Sequence, residues 1–359
     1  MDSRADYVPP PIACETLATA VARFDGTWLS RASVAETDIG VPDGVDADVR
    51  ELWQRRGRPT AELQEGVARI DRGRVFGDGI VVTPDGQSVV RDVSLDFGRA
   101  EEGHWLVGDE KIRAPEWVPG VTTVVASALG EGYCHWLLDE LPRLLSLPRE
   151  ARGSTLIAHA QLECSRTALE LLGWTGALLQ PKRRAYRQCE QLLVPLLPGW
   201  TGRATRRQLE LVVEFAARLP VVAPQLKGER LFVSRAGARR RRITNEAEVV
   251  AALAPMGFEA VRLEELSWAE QVACFRRAKV IVAPHGAGLA NLAFCAPGTR
   301  VVEGLNRSHV NDCFWQIAAL RGLEYQAVLA LGTEPLACDP KANRLDFALD
   351  VPRLLAVVR

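Results

Sequence analysis

Apolar and polar positions follow three different rhythms along this chain. Over residues 67–97, VARIDRGRVFGDGIVVTPDGQSVVRDVSLDF, apolar runs are short and broken by Gly-Asp-Gly and Pro-Asp-Gly. Those breaks are turn chemistry, so the first hundred residues are predicted to form an irregular, β-rich module. From about 120 to 225, apolar strands (VTTVVAS, STLIAHA, QLLVPLL) mix with helical stretches such as HWLLDELPRLLSL. A polar, Pro-containing stretch at Pro220–Gly228 is the best linker candidate.

Beyond it the rhythm becomes regular. RLFVSR, FEAVRL, KVIVAPH and TRVVEGL have the short apolar pattern of buried strands, and they alternate with NEAEVVAALAPMG, SWAEQVACFRRA and LANLAFCA, which are helical. Asn245 with Glu248 and Ser267 with Glu270 have capping-box spacing, and Gly257 closes the first of these helices. Strand–helix alternation predicts an α/β fold with a parallel, doubly wound sheet. Domains are expected at 1–225 and 226–335, with 336–359 as a tail packing back on the N-terminal domain.

Composition narrows the classes. Hydrophobic residues make up 47% and charged residues 25% of 359, as in ordinary globular proteins of about two domains. Lys+Arg 44 against Asp+Glu 45 leaves a net charge of -1, so no global field steers the chain to nucleic acid or anionic lipid. Eight cysteines without C-x-x-C spacing suggest reduced, buried thiols in a reducing compartment. Cys134/His135 and His309/Cys313 lack partners at zinc-ligand spacing, so no metal is expected. The first residues do not have a signal-peptide pattern, and no run of 18 apolar residues spans a membrane. The expected location is cytoplasmic.

Three segments carry candidate chemistry. In VIVAPHGAGLANLAF (280–294) a strand ends at a His285-Gly286-Ala287-Gly288 turn and a helix opens at once. Glycines there let a ligand approach the backbone, and the first-turn N–H groups favour oxygen anions, above all phosphate. The pattern G-x-G-x-x-N, ending at Asn291, lacks the third glycine of a dinucleotide fingerprint, which counts against NAD. Glu303, closing the next strand, is a candidate for two ribose hydroxyls or an ordinary surface glutamate.

SRAGARRRRITNEAEV (234–248) places Arg235 at the carboxyl end of a strand, with Arg239 to Arg242 in the following loop. Without aromatic interleaving, a diphosphate between these arginines and the helix start at 288 fits better than RNA. GEGYCHWLLDELPRLLSL (130–147) is the third segment. At about 100° per residue, His135, Asp139 and Pro142 fall within roughly 60° of one another, with Arg143 beside them. Leu137, Leu138, Leu141, Leu144 and Leu145 take the other side, so a polar stripe is expected to look out, either to solvent or into a cleft. The i,i+4 spacing lets Asp139 orient His135 as a general base, and a surface pair without chemistry fits the spacing too. Asp46-Ala-Asp48 resembles a metal–nucleotide D-x-D but is expected to be a turn. Ser127, Ser234 and Ser308 lack a nucleophile elbow, and His104, His159 and His309 are scattered and expected to be structural.

Taken in order, these segments resemble glycosyltransferase family 61. The resemblance rests on Tyr133 to Leu144 (Y-x-H-W-L-L-D-x-x-P-R-L), Ser234–Arg235 with Arg241–Glu246 (S-R, then R-R-I-x-N-E), and His285 to Asn291 with Phe294 and Pro297–Gly298. Glu270–Ala278 adds a further familiar stretch, and the likeness covers roughly 65 to 330. It implies a GT-B architecture, two Rossmann-like domains facing across a cleft, and inverting, metal-independent transfer from a nucleotide sugar. It also implies that Arg235, Arg241, Arg242 and Asn245 contact or support the donor, and that the His285–Asn291 turn holds its diphosphate. His135 and Asp139 would face the acceptor, a glycan or lipid-linked hydroxyl, either of them serving as the base. The N-terminal domain is then the acceptor side and the C-terminal domain the nucleotide-sugar side.

The expected partners are therefore a nucleotide sugar and a glycan or lipid-linked acceptor, with no cofactor, metal or nucleic acid. A bacterial surface-polysaccharide enzyme fits the family better here than a secretory-pathway one. Peripheral contact at the inner face of the membrane and the oligomeric state stay open. So do two other classes, pyruvyl transfer to polysaccharide on the same fold and a non-catalytic assembly subunit.

Overall fold

The computed structural model describes residues 7–34, 39–40, 44–55, 63–94, 104–108, 112–197, 201–223, 226, 228–339 and 344–359. Residues 224, 225 and 227 of the linker candidate lie outside the described residues. The protein is mixed α/β. It divides into two units, Met1–Glu36 with Ala61–Phe215, and Thr37–Thr60 with Ala216–Arg359.

The first unit contains β1 (Tyr7–Val8), β2 (Ala13–Glu15), β3 (Thr27–Val34), β4 (Leu63–Asp71), β5 (Arg74–Phe76), β6 (Ile80–Val82) and β7 (Ser88–Val90). It continues with β8 (Ile112–Arg113), β9 (Glu116–Val124), β10 (Thr155–Ile157), β11 (Leu178–Leu179) and β12 (Tyr186–Leu196). The Gly-Asp-Gly and Pro-Asp-Gly breaks are turns, with Gly77, Gly79 and Gly86 all at positive φ (+55°, +99° and +79°). The ten-stranded main sheet runs β11-β10-β9-β12-β5-β6-β7-β2, with β4 and then β3 joined at β12. Its β11-β10-β9-β12 part is a run of parallel strands; β12 pairs antiparallel with β4 and β5, β5 with β6 and β6 with β7, and the terminal β7–β2 pair is parallel again. The parallel run is the part of this sheet that corresponds to the second Rossmann-like sheet implied by the family resemblance. The β5–β6 hairpin, joined by three residues, can only fold back on itself, whereas parallel pairing needs a crossover; β4 and β5 do not pair with each other but follow one another along β12. Ala68, Ile70, Val75, Val124, Ile157, Leu192 and Val194 close the core beneath it.

The second unit contains β13 (Arg230–Val233), β14 (Phe258–Val261), β15 (Val280–Pro284), β16 (Arg300–Leu305) and β17 (Glu324–Leu329). All pair in parallel, in the order β14-β13-β15-β16-β17. The strands coincide with the apolar runs because both faces of such a sheet are covered. Phe232, Val282, Val302 and Val328 fill its core. Ser267 and Glu270 form the full capping box, whereas the Asn245 side chain makes no cap hydrogen bond. Gly257 ends its helix in the left-handed conformation at φ +77°.

Two long-range features were not legible in the pattern. The helix Ala47–Arg55 belongs to the second unit, where the Trp53 ring stacks on Trp315 at 5.5 Å and its Nε1–H donates to the Val310 carbonyl at 3.3 Å. Asp46 pairs with Arg353 and its carbonyl accepts the first turn's Arg50 N–H, so Asp46-Ala-Asp48 begins a helix and is not a free turn. The C-terminal helix Val351–Val358 buries Val351, Leu354 and Val358 in the core of the second unit. The expectation that the tail packs on the N-terminal domain is therefore corrected. The i, i+3, i+7 apolar stripe was readable, but its partner was not. All eight cysteines are free, five of them buried, and burial pushes the thiols of Cys164 and Cys295 up to about 12.

Candidate active site

In the first unit the HWLLDELPRLL segment is one helix with an irregular centre: Tyr133–His135 and Leu141–Leu145 are α-helical, and Trp136–Glu140 is π-helical. The extra residue in that turn breaks the 100° spacing and brings both carboxylates inwards. Asp139 and Glu140 are 4% and 1% exposed, so the outward polar stripe expected from a regular helix is corrected. π-bulges leave carbonyls to be satisfied from outside, and Gln208 Nε2 donates to that of Leu138 at 3.1 Å.

The His135–Asp139 pair is formed, with Nδ1 and Oδ2 at 2.9 Å. The Gly202 N–H donates to both Asp139 oxygens at 3.1 Å. An ionised Asp139 accepts from all of these donors, which fixes the Nδ1–H tautomer of His135 and puts the lone pair on Nε2. Gly202 has φ +75°, and a Cβ there would come 3.1 Å from the imidazole Cε1. Beside this pair, Glu140 accepts from Ser127 N at 2.9 Å, His159 Nδ1 at 2.6 Å and His159 N at 3.1 Å. Burial lowers the His159 pKa, but the hydrogen bond and charge of Glu140 outweigh it and hold the imidazole above its ordinary value. The scattered His159 is thus one half of a buried ion pair.

In the second unit the sheet order is 2-1-3-4-5, so the strand direction of winding reverses between β13 and β15. Ligands of doubly wound sheets bind at that point, outside the carboxyl ends of the strands. A pocket of about 280 Å³ lies there, lined by Val233–Arg235, Gly237, Leu263, Glu264, Pro284, Gly286, Gly288 and Leu289 among others. Arg235 is held in its wall by its own loop: Nε donates to the Arg241 carbonyl at 3.2 Å and Nη2 to that of Arg240 at 2.9 Å. Glu246 braces the base of the loop, accepting from Ser234 Oγ at 2.5 Å and from Arg235 N at 3.2 Å. Burial lowers the Arg235 pKa to about 10, with the Arg241 cation adding to it, which leaves the guanidinium charged at neutral pH.

Gly286 has extended backbone, and its role is space, because a Cβ there would collide with the Arg235 guanidinium. A Cβ at Gly288 would lie 2.6 Å from Leu263 Cδ1. The element that follows, Ala287–Phe294, is a 3-10 helix and not the α-helix expected, so its dipole contributes less than the neighbouring cation. Beneath the turn, His285 Nδ1 and Glu303 Oε1 are 2.5 Å apart, and the Tyr325 hydroxyl donates to Glu303 Oε2 at 2.6 Å. Burial, with the Arg241 and Arg235 cations adding to it, pushes His285 down to about 3. Burial pushes Glu303 up to about 8 against the Tyr325 hydrogen bond and the Arg241 charge. Both shifts put the proton on Glu303. Its O–H then donates to Nδ1, which places the imidazole N–H on Nε2 as a neutral donor.

The fold sorts the candidate residues. It brings Arg235, Gly286 and Gly288 together in one pocket wall, with Ala287 in the same turn and His285 buried beneath it, where the Arg241 charge acts on His285 and Glu303. Glu303 is fully buried with both oxygens engaged, so it orients His285, and the carboxylate that lines the pocket is Glu264. Asn291 is also fully buried, donating to Gln271 Oε1 and to the Gly288 carbonyl at 3.1 Å, and it shapes the turn from below. Arg242 and Asn245 hold the C-terminal stretch instead. Arg242 grips both oxygens of Asp346, through N at 2.8 Å and Nη2 at 2.7 Å, and Asn245 exchanges two 3.0 Å bonds with the Leu349 backbone. A run of four arginines gives no signal of this division, since each points according to loop geometry. Glu246 was within the quoted motif, whereas Glu264, Tyr325 and Gly202 had no signal in the sequence.

Residues 133–302 match the family model described as Glycosyltransferase 61. A segment of 135 residues, 37% of this chain, is 27% identical to the Drosophila melanogaster protein named EGF domain-specific O-linked N-acetylglucosamine transferase. Both findings support glycosyltransferase family 61. The aligned segment spans 26% of the length of that relative. The family match runs from the His135–Asp139 helix through Arg235 and the His285 turn, ending one residue before Glu303. A sugar donor and an acceptor are the substrates such a transferase requires. Among the described residues, no helix is long and apolar enough to cross a membrane.

Proposed function

We propose that the protein is an inverting, metal-independent glycosyltransferase that moves a sugar from a nucleoside-diphosphate sugar to a hydroxyl of a glycan or lipid-linked acceptor. The observation that carries this is the pocket at the β13/β15 switch point. It combines a charged Arg235 fixed by its own loop carbonyls with a glycine wall cut to admit the guanidinium, and the neutral His285 lies buried beneath that turn. Fixed donors of this kind stabilise charge on a leaving diphosphate without reorganising. The apolar side chains of Val233, Leu263 and Leu289 offer walls for a base, and Glu264 offers a carboxylate for ribose hydroxyls.

The His135–Asp139 pair supplies the other half of the reaction. With Nδ1–H held by Asp139, Nε2 takes the proton of the acceptor hydroxyl as the oxygen attacks the anomeric carbon, and the diphosphate leaves with the bonding electrons. Transfer requires both sets of groups to act on one donor–acceptor pair, and a GT-B architecture is part of this proposal. The Drosophila relative's name supports transfer to oxygen. The role assigned is surface polysaccharide biosynthesis at the cytoplasmic face of a membrane.

The test is a thermal-shift screen with UDP, GDP, CMP, ADP, dTDP, NAD and phosphoenolpyruvate, followed by donor hydrolysis. A ligand at about 100 times its Kd stabilises by roughly 2.7 kcal/mol. A shift with one nucleotide, abolished in Arg235→Ala, and release of free nucleoside diphosphate from its sugar are the expected results. A shift with NAD or phosphoenolpyruvate alone overturns the proposal.

A further inference from the structure

The carboxyl edge of the parallel strands in the first unit carries another pocket, of about 210 Å³, lined by Asp78, Ser94, His104, Trp105, Ser127 and Leu129 among others. It is built and not incidental. After β9, the N–H groups of Val125 and Ala126 both donate to the Ile157 carbonyl, at 3.0 and 3.1 Å, and the chain then turns sharply at 127–132. The buried Glu140 holds that turn through Ser127 N, and Gly130 lies so close to Glu140 and His159 that no side chain fits. Leu129 has φ +63° and is 46% exposed, a left-handed conformation that a leucine adopts only when its surroundings impose it. Gly79 lies against the Ala126 carbonyl, which sets the exposed Asp78 at the rim.

Trp105 decides what chemistry fits. Its ring meets the buried Phe76 edge-on, with centroids 6.0 Å apart and planes at 65°, and sits 5.5 Å from His104. Braced in this way, the indole is still 44% exposed. A fixed aromatic surface beside a carboxylate suits a pyranose: the ring's C–H face packs on the indole while its hydroxyls bond Asp78, the Ser94 and Ser127 hydroxyls being engaged with the Val81 backbone and Glu140. The Asp78 carboxylate at the rim repels a second anion, so a phosphate-bearing ligand is disfavoured. The volume is below the roughly 300–1,000 Å³ of sites that engulf a drug-sized molecule, which suits a single ring.

We propose that this pocket binds one neutral sugar ring, stacked on Trp105 and hydrogen-bonded by Asp78. That the sugar belongs to the acceptor rests on the glycosyltransferase proposal, but the carbohydrate site itself does not. The test uses the full chain and the methyl glycosides of glucose, galactose, mannose, N-acetylglucosamine, N-acetylgalactosamine, xylose and rhamnose, followed by saturation-transfer NMR and titration. At least one glycoside binds, Trp105→Ala weakens it about tenfold or more, Trp105→Phe weakens it less, and Asp78→Asn lowers affinity several-fold. Trp105→Phe keeps the aromatic contact with Phe76 and guards against misreading an unfolded variant. Failure of every glycoside to bind, or binding undiminished in Trp105→Ala, overturns the site. Nucleotide binding is read separately on the same protein. Glycoside binding lost at Trp105 upholds the site even if no nucleotide binds, and nucleotide binding without any glycoside overturns it while leaving the donor proposal intact.

Discussion

Replacing Glu303 by Gln tests where the buried proton resides. In the folded protein burial raises this carboxyl from 4.5 to about 8. The folded state therefore keeps a proton that the unfolded chain releases above pH 4.5. The stability this contributes is complete below 4.5 and is lost as pH rises through about 8. His285 acts in the opposite sense, since its pKa falls from 6.5 to about 3 and the unfolded chain binds the extra proton below 6.5. Between 4.5 and 6.5 the two effects oppose each other, and above 6.5 only Glu303 operates. Each pH unit there costs about 1.4 kcal/mol, so roughly 2 kcal/mol is lost between pH 6.5 and 8.

Glutamine reproduces the protonated form, because its amide N–H donates to His285 Nδ1 and its carbonyl accepts the Tyr325 hydroxyl, but it does not titrate. Urea or thermal unfolding of both proteins at pH 6.5 and 8.0 reads the difference. The unsubstituted protein loses some 4–8 °C in Tm over this interval relative to Glu303→Gln, at about 2–4 °C per kcal/mol for a unit of this size. Parallel stability curves for the two proteins would refute the protonated carboxyl. A uniform loss of several kcal/mol in Glu303→Gln at both pH values would also refute it, since that marks an ionised Glu303 paired with an imidazolium.

Further outcomes follow from the two candidate clusters. Arg235→Ala weakens nucleoside diphosphate binding roughly 10–100-fold by calorimetry, the loss of charge-assisted hydrogen bonds of about 1.5–3 kcal/mol. Gly286→Ala shifts affinity in the same direction, because its methyl group displaces the guanidinium. Asp139→Asn leaves His135 without its orienting anion and lowers the rate of transfer by roughly 10²–10⁴-fold, read as sugar incorporated into acceptor. Glu140→Ala removes one half of a buried ion pair with His159 and destabilises the protein by about 3–5 kcal/mol in urea unfolding. An effect below 1 kcal/mol would show the pair to be solvated.

Local pattern alone determined a large part of this protein. The strands at 230–233, 258–261, 280–284 and 300–305 and the helix at 268–277 follow from apolar period and caps, because each is set by residues within one or two turns of chain. The same holds for the His135–Asp139 pair and for the glycine turn after β15. Tertiary structure decided what those residues face. Arg235 and Arg242 lie seven positions apart in one basic loop, yet one lines a pocket and the other grips Asp346, more than a hundred residues away. Glu303 reads as a strand-end carboxylate, and only full burial between His285 and Tyr325 changes its charge state and its role. The π-turn that drives Asp139 and Glu140 inwards likewise depends on Gly202, Gln208 and His159 from other elements. Burial and long-range partners fix protonation and direction, and both are properties of the packed chain, not of any segment within it.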